Sequence, residues 1–105
     1  MVHFKLQDIS IRVGTRDEEE TRRVSAWVCG PLAAHRSLSY GTDFHLSLWT
    51  VTHVPTGLAL GTYYPTLRSA RRFVEAIQGL LDWGKVKRGK DISRETQERI
   101  FAIRR

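Results

Sequence analysis

The sequence is poor in cysteine and has no long apolar run. Its single cysteine, Cys29, excludes an internal disulfide, and the apolar setting of Cys29 in VSAWVCG (24–30) is typical of the end of a strand. No segment approaches the roughly 20 consecutive apolar residues that a membrane helix needs. Polar and charged residues interrupt MVHFKLQDISIRV (1–13), which therefore does not resemble a signal peptide. We expect a soluble cytoplasmic protein in a reducing compartment, without membrane association.

A recognisable catalytic or metal-binding motif is also lacking. Two of the histidines, His45 and His53, lie about 26 Å apart along one predicted strand, which is too far for a shared ion. A general base needs a positioned partner, and the sequence identifies none for His53, which we interpret as a surface or turn hydrogen-bonder. The acidic run GTRDEEETRR (14–23) holds no large apolar residue and predicts an exposed loop rather than a cation site. We predict a non-enzymatic protein without a metal or cofactor.

Apolar residues are frequent enough to build one core. They make up 41% of the 105 residues, so residues 1–105 are predicted to form a single domain that folds without disulfides. VHFKLQDISIRV (2–13) alternates in two phases that change near Gln7 and Asp8, which predicts a bulge or a break between two short strands. VSAWVCG (24–30) is rich in strand formers, and LAAHRSLSYGTD (32–43) is interpreted as a connection with a helical turn at 32–35.

The middle of the chain predicts a hairpin. FHLSLWTVTHV (44–54) has apolar residues on both of its faces, which indicates a central strand. Pro55 and Gly57 in VPTG (54–57) signal a turn, and LALGTYY (58–64) completes the hairpin. These segments predict an antiparallel sheet of three to five strands.

Two helices follow the predicted strands. Apolar residues recur at helical spacing over 67–83, with Thr66 as N-cap and Gly84 as a left-handed terminator. Ser93 is the predicted cap of a shorter helix over 94–104. The longer helix is predicted to cover one face of the sheet, so the fold class is α+β.

The positive charge is concentrated in the last 40 residues. Residues 66–105 hold eleven Lys or Arg against five Asp or Glu, whereas residues 1–65 hold six against six, so the final segment carries the whole net charge of +6. On the first helix, three arginines at spacings of three and four share the solvent side, and four cations occupy the segment that follows. The candidate nucleic-acid contacts are Arg68, Arg71, Arg72, Lys85, Lys87, Arg88 and Lys90.

This charge pattern favours a nucleic-acid partner held mainly through its phosphates. Arginines near a helix start oppose the macrodipole at a small cost in stability, which suggests a role other than helix formation. The alternative is that the cations form a solvated face that keeps the protein soluble, or that they meet an acidic protein. In that case the function is a protein-interaction module or a homodimer, formed through the C-terminal helix or a sheet edge.

Aromatic residues offer a second kind of contact to nucleic acid. Tryptophan and tyrosine side chains provide stacking platforms for single strands, although those on strands more often pack under a helix. Tyr63 and Tyr64 face opposite sides if the strand continues through them, so one of the two is expected to be exposed beside the arginines. The candidates are Trp27, Trp49, Trp83, Tyr40, Tyr63 and Tyr64.

The stretch WTVTHVPTGLALGTYYPTLRSARRF (49–73) resembles two known patterns. A hairpin followed by an arginine-bearing helix looks like the start of a GIY-YIG nuclease, but SLW and LALG stand where the signature tyrosines belong, so the third alternative that this resemblance leaves is a degenerate nuclease. The same order is similar to the small three-stranded DNA-binding domains of some tyrosine-type integrases, with Thr66 and Ala70 at matching helix positions. The second resemblance covers about a third of the chain and implies DNA binding. We assign the chain to neither family.

Overall fold

The computed structural model describes residues 3–14, 19–38 and 44–104. Five strands form one antiparallel sheet in the order of the sequence, and two helices follow. The strands are β1 (Lys5–Gly14), β2 (Glu19–Cys29), β3 (Leu32–Leu38), β4 (Phe44–His53) and β5 (Leu58–Tyr64); the helices are α1 (Leu67–Ile77) and α2 (Arg94–Arg104). The predicted α+β class, with a sheet of three to five strands and a C-terminal helix, is confirmed.

The first strand is continuous, so the predicted bulge or break near Gln7 and Asp8 is wrong. β1 pairs with β2 in an unbroken register from Lys5 opposite Val28 to Gly14 opposite Glu19. The change of phase arises because both faces of the sheet bury apolar side chains. Phe4 packs against the core that contains α1, whereas Ile11 is buried on the opposite face.

Two segments that were predicted as a loop or a connection are strands, one in β2 and one in β3, on either side of the turn at Gly30. Residues 19–23, predicted as part of a loop, belong to β2, and residues 32–38, predicted as a connection with a helical turn, form β3. Gly30, with a φ of 58°, reverses the chain so that Cys29 pairs with Leu32. Ala33 and Ala34 favour strands weakly, but pairing on both sides overrides that preference. Residues 15–18 of the predicted loop and 39–43 of the predicted connection lie outside the described residues.

The predicted central strand and hairpin are confirmed. β4 lies between β3 and β5, and a turn over residues 54–57 joins β4 to β5. Gly57 adopts a φ of 76°, and its N–H donates to the carbonyl oxygen of His53 at 2.8 Å. The register between β4 and β5 shifts twice, between Trp49 and Val51 and again before Thr52, so β5 is an irregular edge strand.

The helix α1 lies on one face of the sheet, which we call the α1 side. It packs against β3, β4 and β5. Its buried residues Ala70, Phe73, Val74 and Ile77 join one core with strand residues that include Ala34 and Val51. The other face carries its own buried residues: Ile11, Val24, Ala26, Ala33, His35, Thr50 and Thr52. The segment predicted as a central strand, now β4, has apolar residues on both of its faces, and the sheet is buried on both faces accordingly.

The first helix starts where predicted and ends early. Thr66 is the N-cap: its hydroxyl accepts from the Ser69 N–H at 3.0 Å, and the Ser69 hydroxyl accepts from the Thr66 N–H at 3.3 Å. The helix ends at Ile77 rather than at residue 83, and Gly84 is not its left-handed terminator. The carbonyl oxygen of Ile77 accepts from the N–H of Leu80 and from the indole N–H of Trp83, both at 3.0 Å. These bonds turn the chain out of the helix.

The C-terminal helix docks on the domain. Val86, Ile92 and Ile100 are buried members of the core that contains α1, and α2 contacts α1 directly. The Ser93 hydroxyl accepts from the Thr96 N–H at 3.2 Å, as expected of the predicted cap. Within the part of the chain that the structure describes, neither helix has the length and apolar character needed to cross a membrane.

Candidate nucleic-acid interface

The arginines of α1 lie along an open groove. Because Ala70, Phe73 and Val74 turn toward the sheet, the helical period places Arg68 and Arg72 in solvent and leaves Arg71 half-buried at the margin. A groove of about 510 Å³ runs along these side chains. We call it the arginine groove; it is lined by Leu67, Arg68, Arg71, Arg72 and Glu75. The trio predicted from helical spacing therefore shares one surface.

Within the described ranges, the exposed arginines of this groove lack the ion pairs that Arg94 and Arg99 form on α2. Neither Arg68 nor Arg72 forms an ion pair with any other described residue, and the first turn of α1 contains no acidic residue. On α2, by contrast, Arg94 lies 3.6 Å from Glu98, and Arg99 lies 3.0 Å from Glu95. Arg94 and Arg99 thus each have an acidic partner within α2, whereas Arg68 and Arg72 have no ion-pair partner among the described residues, although Glu75 lines the same groove.

Two arginines stack on aromatic rings of the α1 side. The guanidinium of Arg71 lies 4.5 Å from the centroid of the Phe4 ring, and the guanidinium of Arg36 lies 4.4 Å from that of Trp49. Both distances are in the range of a cation–π contact, which holds the guanidinium plane in place. Sequence reasoning missed Arg36 because residues 32–38 were interpreted as a connection, and it missed Phe4 because no local pattern links it to Arg71.

Part of the sheet next to α1 is left uncovered on the α1 side. Leu6 pairs with Trp27, which pairs with Ala34, which pairs with Val51, so these residues share one face of the sheet. Ala34 and Val51 are fully buried in the core that contains α1, but Trp27 is half-buried and Leu6 is 58% exposed. An aromatic and an aliphatic side chain are therefore accessible on β1 and β2.

The four linker cations lie elsewhere. We define the linker as residues 85–90, which leave α1 after the turn at Trp83. His53 donates from Nε2 to the carbonyl oxygen of Trp83 at 2.8 Å, and an added Cβ on Gly89 would lie 3.5 Å from Leu58, so the linker packs near the β4–β5 turn. The arginine groove contains none of Lys85, Lys87, Arg88 and Lys90. The seven predicted cations thus form two separate groups: the trio lies along α1, and the linker cations follow the end of that helix at Ile77 and the turn at Trp83.

The linker has a defined conformation of its own. A carboxylate oxygen of Asp91 accepts from the backbone N–H groups of Lys87 at 2.8 Å and Arg88 at 3.0 Å. Both hydrogen bonds favour the charged carboxylate and so hold the pKa of Asp91 below its usual value; the bond from Lys87 has the larger effect and the bond from Arg88 the next. The side chain of Lys85 lies 3.9 Å from the carboxylate of Asp82 and is itself strongly exposed. The linker is an ordered turn whose lysine and arginine side chains point into solvent.

Two of the histidines, His35 and His53, are buried and have hydrogen-bond partners, whereas His3 is exposed. Of the two predicted alternatives for His53, the surface position is wrong because the side chain is fully buried, and the turn hydrogen-bonder is confirmed because its Nδ1 lies 2.8 Å from the Thr56 hydroxyl. His35 is also buried: Nδ1 lies 2.8 Å from the carbonyl oxygen of Arg36, and Nε2 lies 2.8 Å from the hydroxyl of Thr52. Burial lowers the pKa of His35, and the hydrogen bond to Arg36 opposes that shift in part. Over residues 3–14, 19–38 and 44–104, no three His, Cys, Asp or Glu side chains converge as a metal site would require.

The remaining aromatic candidates divide between the core and the surface. Trp83 is buried in the core, and Tyr64 packs against Phe73 with ring centroids 5.4 Å apart. The Tyr64 hydroxyl is buried without a hydrogen-bond partner among the described residues. Tyr40 and the side chain of Tyr63 lie outside the described residues, which leaves Trp27 and Trp49 as the accessible tryptophans.

Comparison with protein-family models, with curated proteins and with solved structures found no match for this chain. Any assignment of function therefore depends on the geometry of the arginine groove and its surroundings.

Proposed function

We propose that this protein is a small, basic, non-enzymatic accessory domain that binds nucleic acid mainly through phosphate contacts. One observation carries the proposal: Arg68 and Arg72 line the open arginine groove, exposed and without an ion-pair partner among the described residues. Arginine presents a planar fork of donors that fits phosphate oxygens. On α2, by contrast, Arg94 and Arg99 each lie beside a glutamate, so they are less available to a phosphate than Arg68 and Arg72.

The linker provides a second group of contacts in this proposal. Lys87, Arg88 and Lys90 extend from a turn that Asp91 holds in place, in the segment that follows the C-terminal end of α1. A strand that follows α1 meets the two groups one after the other. Each phosphate neutralised on duplex DNA contributes roughly −0.9 to the slope of log affinity against log salt. The loss of two groove contacts should therefore reduce the magnitude of the slope by about 2.

Fluorescence anisotropy with random-sequence oligonucleotides at two salt concentrations tests this function. The groove variant carries Arg68→Gln and Arg72→Gln, and the linker variant replaces its four cations with serine. The matched control carries Arg94→Gln and Arg99→Gln, which removes the same charge as the groove variant from α2. We expect a large affinity loss and a reduced salt slope in the groove variant, a smaller loss in the linker variant, and little change in the control. Absence of binding at low salt, or equal losses in groove variant and control, would overturn the proposal.

A second candidate function is a protein-interaction module or homodimer formed through α2. Phe101 is 49% exposed and Ile103 is 39% exposed, and an open groove of about 370 Å³ runs beside Phe101. Because residues two apart on a helix face different sides, Phe101 beside this groove is the candidate contact, and Ile103 is a separate exposed apolar side chain. Sedimentation equilibrium over a wide concentration range tests this alternative. A monomer at every concentration would count against the homodimer, and an association abolished by Phe101→Ser would support it.

A further inference from the structure

We propose that the surface between the arginine groove and the β1–β2 hairpin binds single-stranded nucleic acid, with bases stacked on Trp27 and on the guanidinium planes of Arg36 and Arg71. This inference rests on the proposed function and names its substrate class. It depends on three features of the α1 side: the half-buried, partly accessible Trp27, the stack of Arg71 on Phe4, and the stack of Arg36 on Trp49.

The register of the strands places these features in one row. Phe4 precedes Leu6 by two residues, and Leu6 pairs with Trp27, so the Phe4 stack lies on one side of that pair. His35 pairs with Ala26, so the next residue, Arg36, lies level with Ser25, on the other side of the same pair. Residues two apart on one strand are separated by about 7 Å and face the same way. Trp27 is thus flanked by one arginine–aromatic stack on each side.

The chemistry of these stacks favours exposed bases. A guanidinium that rests on a ring has one face occupied, and its other face is free to stack on a base while its N–H edges donate to phosphate. Trp27 offers a partly accessible indole to a neighbouring base, and the exposed Leu6 extends the apolar surface. The faces of the bases inside a duplex are covered by their neighbours, so a duplex can use the arginines but not this platform.

One acidic group belongs to the same surface. Asp8 pairs with Ser25 in the sheet, and its carboxylate accepts from the Ser25 hydroxyl at 2.8 Å. The Asp8 carboxylate repels phosphate, whereas the arginine groove holds three arginines against the one carboxylate of Glu75, so the backbone of a bound strand is expected to run along the groove, with its bases turned toward Trp27. The geometry therefore assigns an orientation as well as a substrate class.

The test compares single-stranded DNA, single-stranded RNA and duplex DNA of equal length by anisotropy, with Trp27→Leu and Arg36→Gln as separate variants. We expect the protein to bind single strands more tightly than duplex. Trp27→Leu should weaken single-strand binding by about tenfold while changing duplex binding by less than about twofold. Arg36→Gln also removes a charge that a duplex can use, so it should weaken single-strand binding by about tenfold and duplex binding by a smaller factor. The linker variant serves as the control, because it should weaken both forms alike. Thermal unfolding of each variant checks that it is folded, and Arg36→Gln, at an exposed position, keeps the test valid if Trp27→Leu is unstable.

The outcomes separate this inference from the function on which it rests. Equal or tighter binding of duplex, or full single-strand affinity in both variants, would overturn the stacking surface and leave nucleic-acid binding intact. Binding of neither form at low salt would overturn both. A preference for RNA over DNA at equal length, lost in Arg36→Gln, would support the inference and identify the sugar as a further point of recognition.

Discussion

The indole nitrogen of Trp83 donates a hydrogen bond to the carbonyl oxygen of Ile77, the last residue of α1, across 3.0 Å. The backbone carbonyl of Trp83 in turn accepts from the buried ring of His53 at 2.8 Å. Since a carbonyl can only accept, the Nε2 atom of His53 carries a proton. These two contacts tie the end of the helix to the β4–β5 turn, and they fix where the linker begins.

Replacing Trp83 with phenylalanine should destabilise the protein by about 1–3 kcal/mol, because the carbonyl of Ile77 loses a donor and the smaller ring leaves space in the core. Urea unfolding followed by circular dichroism measures the effect. Trp27→Phe is the matched control, since Trp27 is only half-buried, and it should cost less than about 1 kcal/mol. Equal losses in the two variants would contradict the assigned role of the indole N–H.

Gly61 is required by the packing of Tyr64. A Cβ at this position would lie 2.7 Å from the Tyr64 hydroxyl and 2.9 Å from the ring of Phe73, closer than real contacts allow. Gly61→Ala should therefore destabilise the fold by about 1–3 kcal/mol. Gly79→Ala is the control, because a Cβ there meets no described atom within 4 Å and should be neutral. Thermal unfolding distinguishes the two, and similar melting temperatures would show that the packing at Gly61 gives way without cost.

His35 should make the fold sensitive to mild acid. Its pKa is lowered in the folded protein because it is buried, so the unfolded chain takes up a proton at a higher pH than the folded one. The contribution of the neutral ring to stability is complete above the usual pKa of 6.5 and is lost as pH falls from there toward the folded value. The slope is at most about 1.4 kcal/mol per pH unit for one proton.

Urea unfolding at a series of pH values between 7.5 and 5 measures this dependence. His35→Leu should be less stable than the wild type at pH 7.5, since Thr52 and the carbonyl of Arg36 lose a partner, but its stability should fall less steeply with acid. The exposed His3, changed to Gln, is the control and should keep the wild-type slope. An unchanged slope in His35→Leu would show that other groups cause the acid sensitivity.

We expect Asp91 to hold the linker in its turn conformation and to contribute little to the free energy of unfolding of the whole domain. Its carboxylate accepts from the N–H groups of Lys87 and Arg88, so Asp91→Asn should speed amide hydrogen exchange at those two residues. Because these bonds lower its pKa, the stabilising effect is present above the usual value of 3.8 and is lost as pH falls below it. Glu98→Gln on α2 is the control and should leave linker exchange unchanged. Equal exchange in wild type and Asp91→Asn would remove Asp91 from this role.

Part of the candidate site could be predicted from local patterns in the sequence. The helical spacing of Arg68, Arg71 and Arg72 identified the trio, and the structure places all three along one groove. The linker cations were identified by composition, but their separation from the trio depends on the turn at Trp83. The contribution of Arg36 and Phe4 was not predictable, because each meets its partner across the sheet rather than along the chain.

By itself, the sequence determined the α+β class, the hairpin around Gly57, the start of α1 at Thr66 and the location of the positive charge. These features depend on neighbours within a few residues, where side-chain period and capping act directly. Tertiary structure decided that β1 is unbroken, that 32–38 is a strand, that α1 ends at Ile77, and that Arg71 stacks on Phe4 and Arg36 on Trp49. Those outcomes depend on pairing and burial between distant segments, whose free energy exceeds local propensity and leaves no periodic trace in the chain.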